Sequence, residues 1–152
     1  MPLDVFPDAE AVVRAFLIGS TAINDLVDDR VYGMLPADAV FPLARIKRIG
    51  GVPAAWQRLD HARLMIDCWG RLEGEGGPLV AYGRDEAWTL AGQIIHDLLD
   101  AMNVTVSIDG TPEGLISKVE LERGASWLPD QQTDRPRVTF DVGVYLHRAR
   151  TA

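Results

Sequence analysis

The stretch Arg137 to His147 constrains this chain most. Val138, Phe140, Val142, Val144 and Leu146 alternate there with Thr139, Asp141, Gly143 and Tyr145. Successive side chains of a strand point to opposite faces, so the pattern predicts one apolar face and one wetter face. It is about twice the usual strand of roughly 5–6 residues. Such a strand needs a sheet beside it and something apolar over one face.

Earlier segments supply both. Asp8 can cap a helix on which Ala9, Val12, Val13, Phe16 and Leu17 form one stripe, and Gly19 stops it. Ser20 can cap a second, short helix through Ile23 and Leu26, ended by Asp28-Asp29. Arg30 to Leu35 reads as a short strand, and Phe41 to Ile49 as a second, broken by Gly50-Gly51-Val52-Pro53. A long hairpin loop carrying Trp56 leads to a third strand, Asp60 to Trp69, paired antiparallel with the second. Its Ala62, Leu64, Ile66 and Cys68 alternate with His61, Arg63, Met65 and Asp67.

Glycines fill the loop from Gly70 to Pro78. A main helix follows from about Leu79 to Met102, its stripe running through Ala87, Trp88, Ala91, Ile94, Ile95, Leu98, Leu99 and Met102. Val104 to Ile108 is extended, and Asp109-Gly110 signals a turn. Leu115 to Arg123 is a strand, with Leu115, Ser117, Val119 and Leu121 on one face. A loop holding Trp127, Leu128 and Pro129 joins it to the final strand, its antiparallel partner. The expectation is α+β: a mostly antiparallel or mixed sheet against a long helix and an N-terminal helix, with residues 1–152 in one domain.

Composition limits what such a domain does. The 152 residues are 47 % hydrophobic and 24 % charged, enough to build a core. A net charge of −7 argues against nonspecific binding to nucleic acid or an anionic membrane. The single Cys68 allows no internal disulfide, so a reducing compartment is the default. The sequence shows neither a signal-peptide pattern nor an apolar run long enough for a bilayer. Charge is unevenly spread: residues 1–40 hold seven acids and two bases, residues 41–63 one acid and five bases, and residues 64–152 fourteen acids and eight bases. The basic island is Arg45, Lys47, Arg48, Arg58 and Arg63, suited to meeting an acidic neighbour or simply to solvation.

Catalytic patterns are missing from the sequence. His61, His96 and His147 form no H-E-x-x-H and no ligand pair at a metal-site spacing. Cys68 lies on the apolar face of its strand with no base beside it. Gly74-Glu75-Gly76-Gly77-Pro78 lacks a P-loop lysine, and its acids would repel an anion. No catalytic, cofactor or metal residues are assigned. Trp56 and Trp127 in loops are candidates for contact with another protein.

The order of short motifs is more telling. Arg30-Val31-Tyr32, Leu35-Pro36, Phe41-Pro42-Leu43, Ile49-Gly50-Gly51, Leu59-Asp60, Ile66-Asp67-Cys68-Trp69-Gly70, the alanine-bearing helix from Ala81 to Leu99, Trp127-Leu128-Pro129-Asp130 and Pro136-Arg137-Val138 follow one another. In these motifs the chain resembles the tail terminator (tail completion) proteins of long-tailed bacteriophages, of the actinobacteriophage type. The resemblance implies a structural, non-catalytic virion protein without cofactors. It implies a homo-oligomeric ring, a hexamer, that caps the tail tube, stops its polymerisation and joins the head connector or head-closure protein. DNA would pass through the channel without sequence-specific binding. The protein would sit at the head-proximal end of the virion tail, after assembly in the host cytoplasm. Candidate partner-interface residues are Arg45, Lys47, Arg48, Trp56, Arg58, Trp127, Leu128 and Pro129. A head-closure subunit, or a small α+β enzyme or ligand-binding domain with His61 or His96 beside a carboxylate in a pocket, are the alternatives.

Overall fold

A computed structural model describes residues 6–54, 59–72, 75 and 83–149. Helix α1 (Ala9–Ile18) starts where Asp8 Oδ1 accepts the N–H groups of Glu10 and Ala11 at 3.0 and 3.3 Å. These are donors the first turn cannot satisfy itself. Helix α2 (Thr21–Val27) is capped by Ser20, whose hydroxyl also donates to Asp97 at 2.7 Å and so ties α2 to the main helix. Among the described residues that main helix, α3, spans Gly83–Leu99.

Strands β1 (Val31–Tyr32), β2 (Leu43–Ala54), β3 (Leu59–Trp69), β4 (Val104–Ile108), β5 (Thr111–Trp127) and β6 (Arg137–Arg148) form one sheet in the order β1-β2-β3-β6-β5-β4. Among the described residues only β1 and β2 run parallel and the other pairings are antiparallel, so the sheet is mixed. The final strand lies in its interior, between β3 and β5. The helices cover one face. Ile46, Leu64, Ile66, Phe140, Val142, Val144 and Leu146 meet Val12, Val13, Leu17, Leu90, Ile94 and Leu98 in one buried cluster. Full burial of each such side chain is worth about 1.5–3 kcal/mol.

Several elements differ from the sequence expectation. The strand at 30–35 shrinks to Val31–Tyr32, since β1 touches only Ala44 and Arg45 of β2. Gly50-Gly51-Val52-Pro53 does not break β2. The strand absorbs it with a bulge between Arg48 and Gly50 and with Gly51 at φ 108, and pairs on to Ala54 opposite Leu59. A proline survives there because that part of β2 is a sheet edge, where a missing N–H costs no ladder bond. The long hairpin loop therefore reduces to residues 55–58, which lie outside the described ones, as do residues 79–82 at the expected start of α3. The helix stops at Leu99 instead of Met102, with Asn103 in the left-handed region at φ 54.

Strand β5 runs to Trp127, so Trp127 ends a strand instead of sitting in a loop. A register shift between Ile116 and Lys118 also changes its inward set: Ile116 and Val119 are buried, and Leu121 is exposed. The wetter face of β6 is not wet. Thr139 and Asp141 are 2 % and 8 % exposed, because long side chains from neighbouring strands lie across them.

Candidate assembly surface

The sheet face opposite the helices is a layer of ion pairs, most of them between strands. Arg45 on β2 holds Asp67 on β3 at 2.8 Å, and its guanidinium sits 5.0 Å from the Trp69 ring. Arg123 on β5 takes both oxygens of Asp141 on β6 at 2.9 Å. Arg63 on β3 reaches across β6 to Glu122 on β5 at 2.7 Å. Lys118 pairs with Glu120 at 3.0 Å and lies over the Tyr145 ring. This hydrogen bond from Lys118 holds the Glu120 carboxyl below its ordinary range.

Gly143 sits beneath the centre of this layer. A Cβ there would meet Glu122 Oε1 and His61 Nε2, so the glycine lets both side chains lie close over the strand. The His61 ring stacks on Tyr145, centroids 4.1 Å apart, and its Nε2 lies 3.4 Å from Glu122.

The basic island is thus largely spent inside the molecule. Arg45 and Arg63 are paired on the open face. Arg48 projects to the helix side, where it grips both oxygens of buried Asp60 at 2.6 and 2.7 Å. That hydrogen bond raises the Arg48 pKa still further. Its backbone N–H donates to Glu10 at 2.7 Å, so the start of α1 covers that point of the β2 edge. Lys47 is exposed and makes no ion pair among the described residues. Trp56 and Arg58 lie outside the described residues.

At the far end of β5 the apolar surface is open. Trp127 is 37 % and Leu128 47 % exposed, Pro129 is half-buried, and Leu128 N–H donates to Arg137 at 2.9 Å. The Arg84 guanidinium from the first turn of α3 sits 5.3 Å from the Trp127 ring. Arg84 could not be picked out along the chain, because only the fold brings α3 to the end of β5. The structure therefore gathers Trp127, Leu128 and Pro129 in one place but separates them from Arg45 and Lys47 by strands β3 and β6.

Cys68 is fully buried, and burial pushes its thiol well up, away from the reactive thiolate. His96 is an exposed helix residue 3.5 Å from Asp100. A cavity of about 370 Å³ is lined by Ala39, Val40, Phe41, Arg71, Glu75 and Arg135, without a histidine. What the surface offers is exposed strand edge, apolar corners and fixed charge, which is the equipment of a protein that binds proteins.

Comparison with known proteins decides the family. The profile described as Tail completion protein gp17 matches residues 11–147, from the first turns of α1 to the end of β6. The chain belongs to this tail completion family. It is accordingly a structural protein of the phage tail, in a family that is not enzymatic. Among solved structures it is similar to a chain from the virion of a native gene transfer agent particle. The TM-score is 0.64 and the identity 16 %, over 91 % of this chain and 93 % of that one. At that identity the likeness is one of fold. A search of curated proteins finds no match.

Proposed function

We propose that copies of this chain close into a ring, a hexamer, on the head-proximal end of the tail tube. There the ring stops tube polymerisation and presents the surface that joins the head connector. The family match over residues 11–147 carries this reading. The solved virion chain of the same fold supports it, since that protein too works inside an assembled particle.

The physical chemistry is compatible. With a net charge of −7 the chain suits a conduit through which DNA must slide, because a basic lining would hold phosphates. Exposed Trp127 and Leu128, with half-buried Pro129 next to them, offer the type of apolar anchor that protein interfaces use, and Lys47 is an exposed cation with no ion pair among the described residues. Arg45 and Arg48 support such a contact only indirectly, by fixing the strand that carries Lys47.

The test is genetic and visual. Particles assembled without this chain should carry tail tubes of uncontrolled length and no heads. Tails of normal length that fail to join heads would replace this reading with that of a head-closure subunit. Trp127→Ala, on a side chain that is already one-third exposed, should weaken attachment to the tube without unfolding the chain. Unchanged tail length and infectivity in that variant would remove Trp127 from the interface.

A further inference from the structure

We infer that the outer edge of β5 takes up a short, extended, uncharged segment of the tail tube protein as an added strand. This rests on the reading that the chain caps the tube, and it names the contact. Among the described residues β4 covers the outer edge of β5 only as far as Ile116, followed by a bond from the Asn103 N–H to the Ser117 carbonyl at 3.2 Å. From Lys118 to Trp127 the strand pairs with β6 and with no second strand among the described residues. A strand with one partner leaves a row of N–H and C=O groups without ladder bonds, and what satisfies both kinds at once is another extended backbone. Register shifts between Leu121 and Arg123 and between Arg123 and Ser126 interrupt the far part of the edge. Bulges of this kind stop a long strand from adding. The regular piece runs from Lys118 to Leu121, opposite Tyr145 to Val142, so the added strand is short.

The helix side of this piece is apolar and open. Leu121 lies opposite Val142, a core residue, so both share the face toward the helices, yet Leu121 is 39 % exposed. Leu99 at the end of α3 and Met102 just beyond it are 42 % and 66 % exposed. Helix α3 lies with one flank along α2, where Asp97 accepts from Ser20. Its other flank runs beside β5: Arg84 sits against Trp127 at one end, and Asn103 bonds Ser117 at the other. A Cβ at Gly92 on α3 or at Gly124 on β5 would meet nothing within 4 Å, so both elements border open space.

The charges around the edge balance one another. Lys118 pairs with Glu120, Arg63 with Glu122, and His96 lies 3.5 Å from Asp100. A rim already paired in this way favours a segment without net charge, since an added charge would meet no free partner. Side chains of a strand alternate, so the segment presents apolar residues to Leu99, Met102 and Leu121, and polar ones to the face that carries Lys118 and Glu120. The edge of this chain at β1 and β2 does not supply such a strand to a second copy, because it is already engaged. The Val31 carbonyl accepts from Arg14, the Ala44 N–H donates to the Arg30 carbonyl, the Arg48 N–H donates to Glu10, and Pro53 has no N–H. The strand therefore comes from the tube end that the chain covers.

Amide hydrogen exchange of the full chain, alone and bound to assembled tail tube protein, tests this. Alone, the outward amides between Lys118 and Glu122 should exchange fast; on the tube they should slow at least about tenfold, as ladder bonds form. Leu121→Lys and, separately, Met102→Lys should each weaken tube binding about tenfold by putting a charge on the apolar side of the edge. Both positions are exposed, and circular dichroism confirms folding. Tube binding without slowing at these amides overturns this contact and leaves the cap reading standing, as do two folded variants that bind like the parent. Amides already slow in the dilute chain also overturn it. Slowing that grows with the concentration of this chain alone gives the edge to a second copy and overturns the tube as its occupant. A parent that does not bind the tube overturns the cap reading, and the contact with it.

Discussion

At the scale of single residues, buried carboxylates do the most to organise the sheet. Asp60 and Asp67 are 2 % and 1 % exposed, yet both are held by arginines whose other ends reach solvent. A buried carboxylate is tolerable only while such a partner stays. Asp60→Ala should therefore cost about 2–3 kcal/mol in urea unfolding, the range for a lost hydrogen bond to a charged group. A change below the error of the measurement would show that the Arg48–Asp60 fork is decorative. Glu75 behaves differently. Arg135 donates to it at 2.6 and 2.9 Å and holds its pKa below the ordinary 4.5. A depressed carboxylate pKa stabilises the fold above the unfolded value and loses that contribution as pH falls through the folded one. Arg135→Gln should thus be less stable than the parent at neutral pH, with the gap narrowing as acid protonates Glu75 in both. Arg135 also covers Phe41, so a constant offset remains, and the test is the pH slope, measured by thermal unfolding across the acid range.

At the scale of elements, sequence showed what is local and hid what depends on pairing. The caps Asp8 and Ser20 act within three residues and appear where expected. Asp109 and Gly110, at φ 51 and 80, make the hairpin turn that their residue types announce. Strand β2 could not be read past Gly50, because whether Gly-Gly-Val-Pro ends a strand depends on the edge it occupies in the sheet. The ion pairs were equally hidden: Arg45–Asp67, Arg123–Asp141 and Arg63–Glu122 join residues 22, 18 and 59 apart. Only the register of β2, β3, β6 and β5 places them side by side. The same register explains why the basic island, conspicuous along the chain, is mostly neutralised in the fold. Gly143→Ala must push aside the Glu122 carboxylate and the His61 ring, side-chain ends that can yield, so it should cost about 1 kcal/mol at most. On the helix side of the same strand, Phe140→Ala should cost about 3–5 kcal/mol. A Phe140→Ala variant as stable as the parent by denaturant titration would show that β6 is not the centre of the packing.

At the scale of the whole molecule, the helices and one sheet face form the core, and the other sheet face closes itself with charge pairs. Stability is thus settled within one copy, which leaves the sheet edges and exposed apolar corners for assembly. The family was legible in the order of short motifs, whereas the ion pairs across the sheet were not, because they join residues far apart in the chain. The central claim is that this chain works as a closed ring. The mass of the purified protein, followed over a concentration series alone and with tail tube protein, tests it most directly. The account predicts one discrete assembly, six copies, that no further increase in concentration enlarges. A strict monomer under both conditions, or an open-ended polymer, would contradict it.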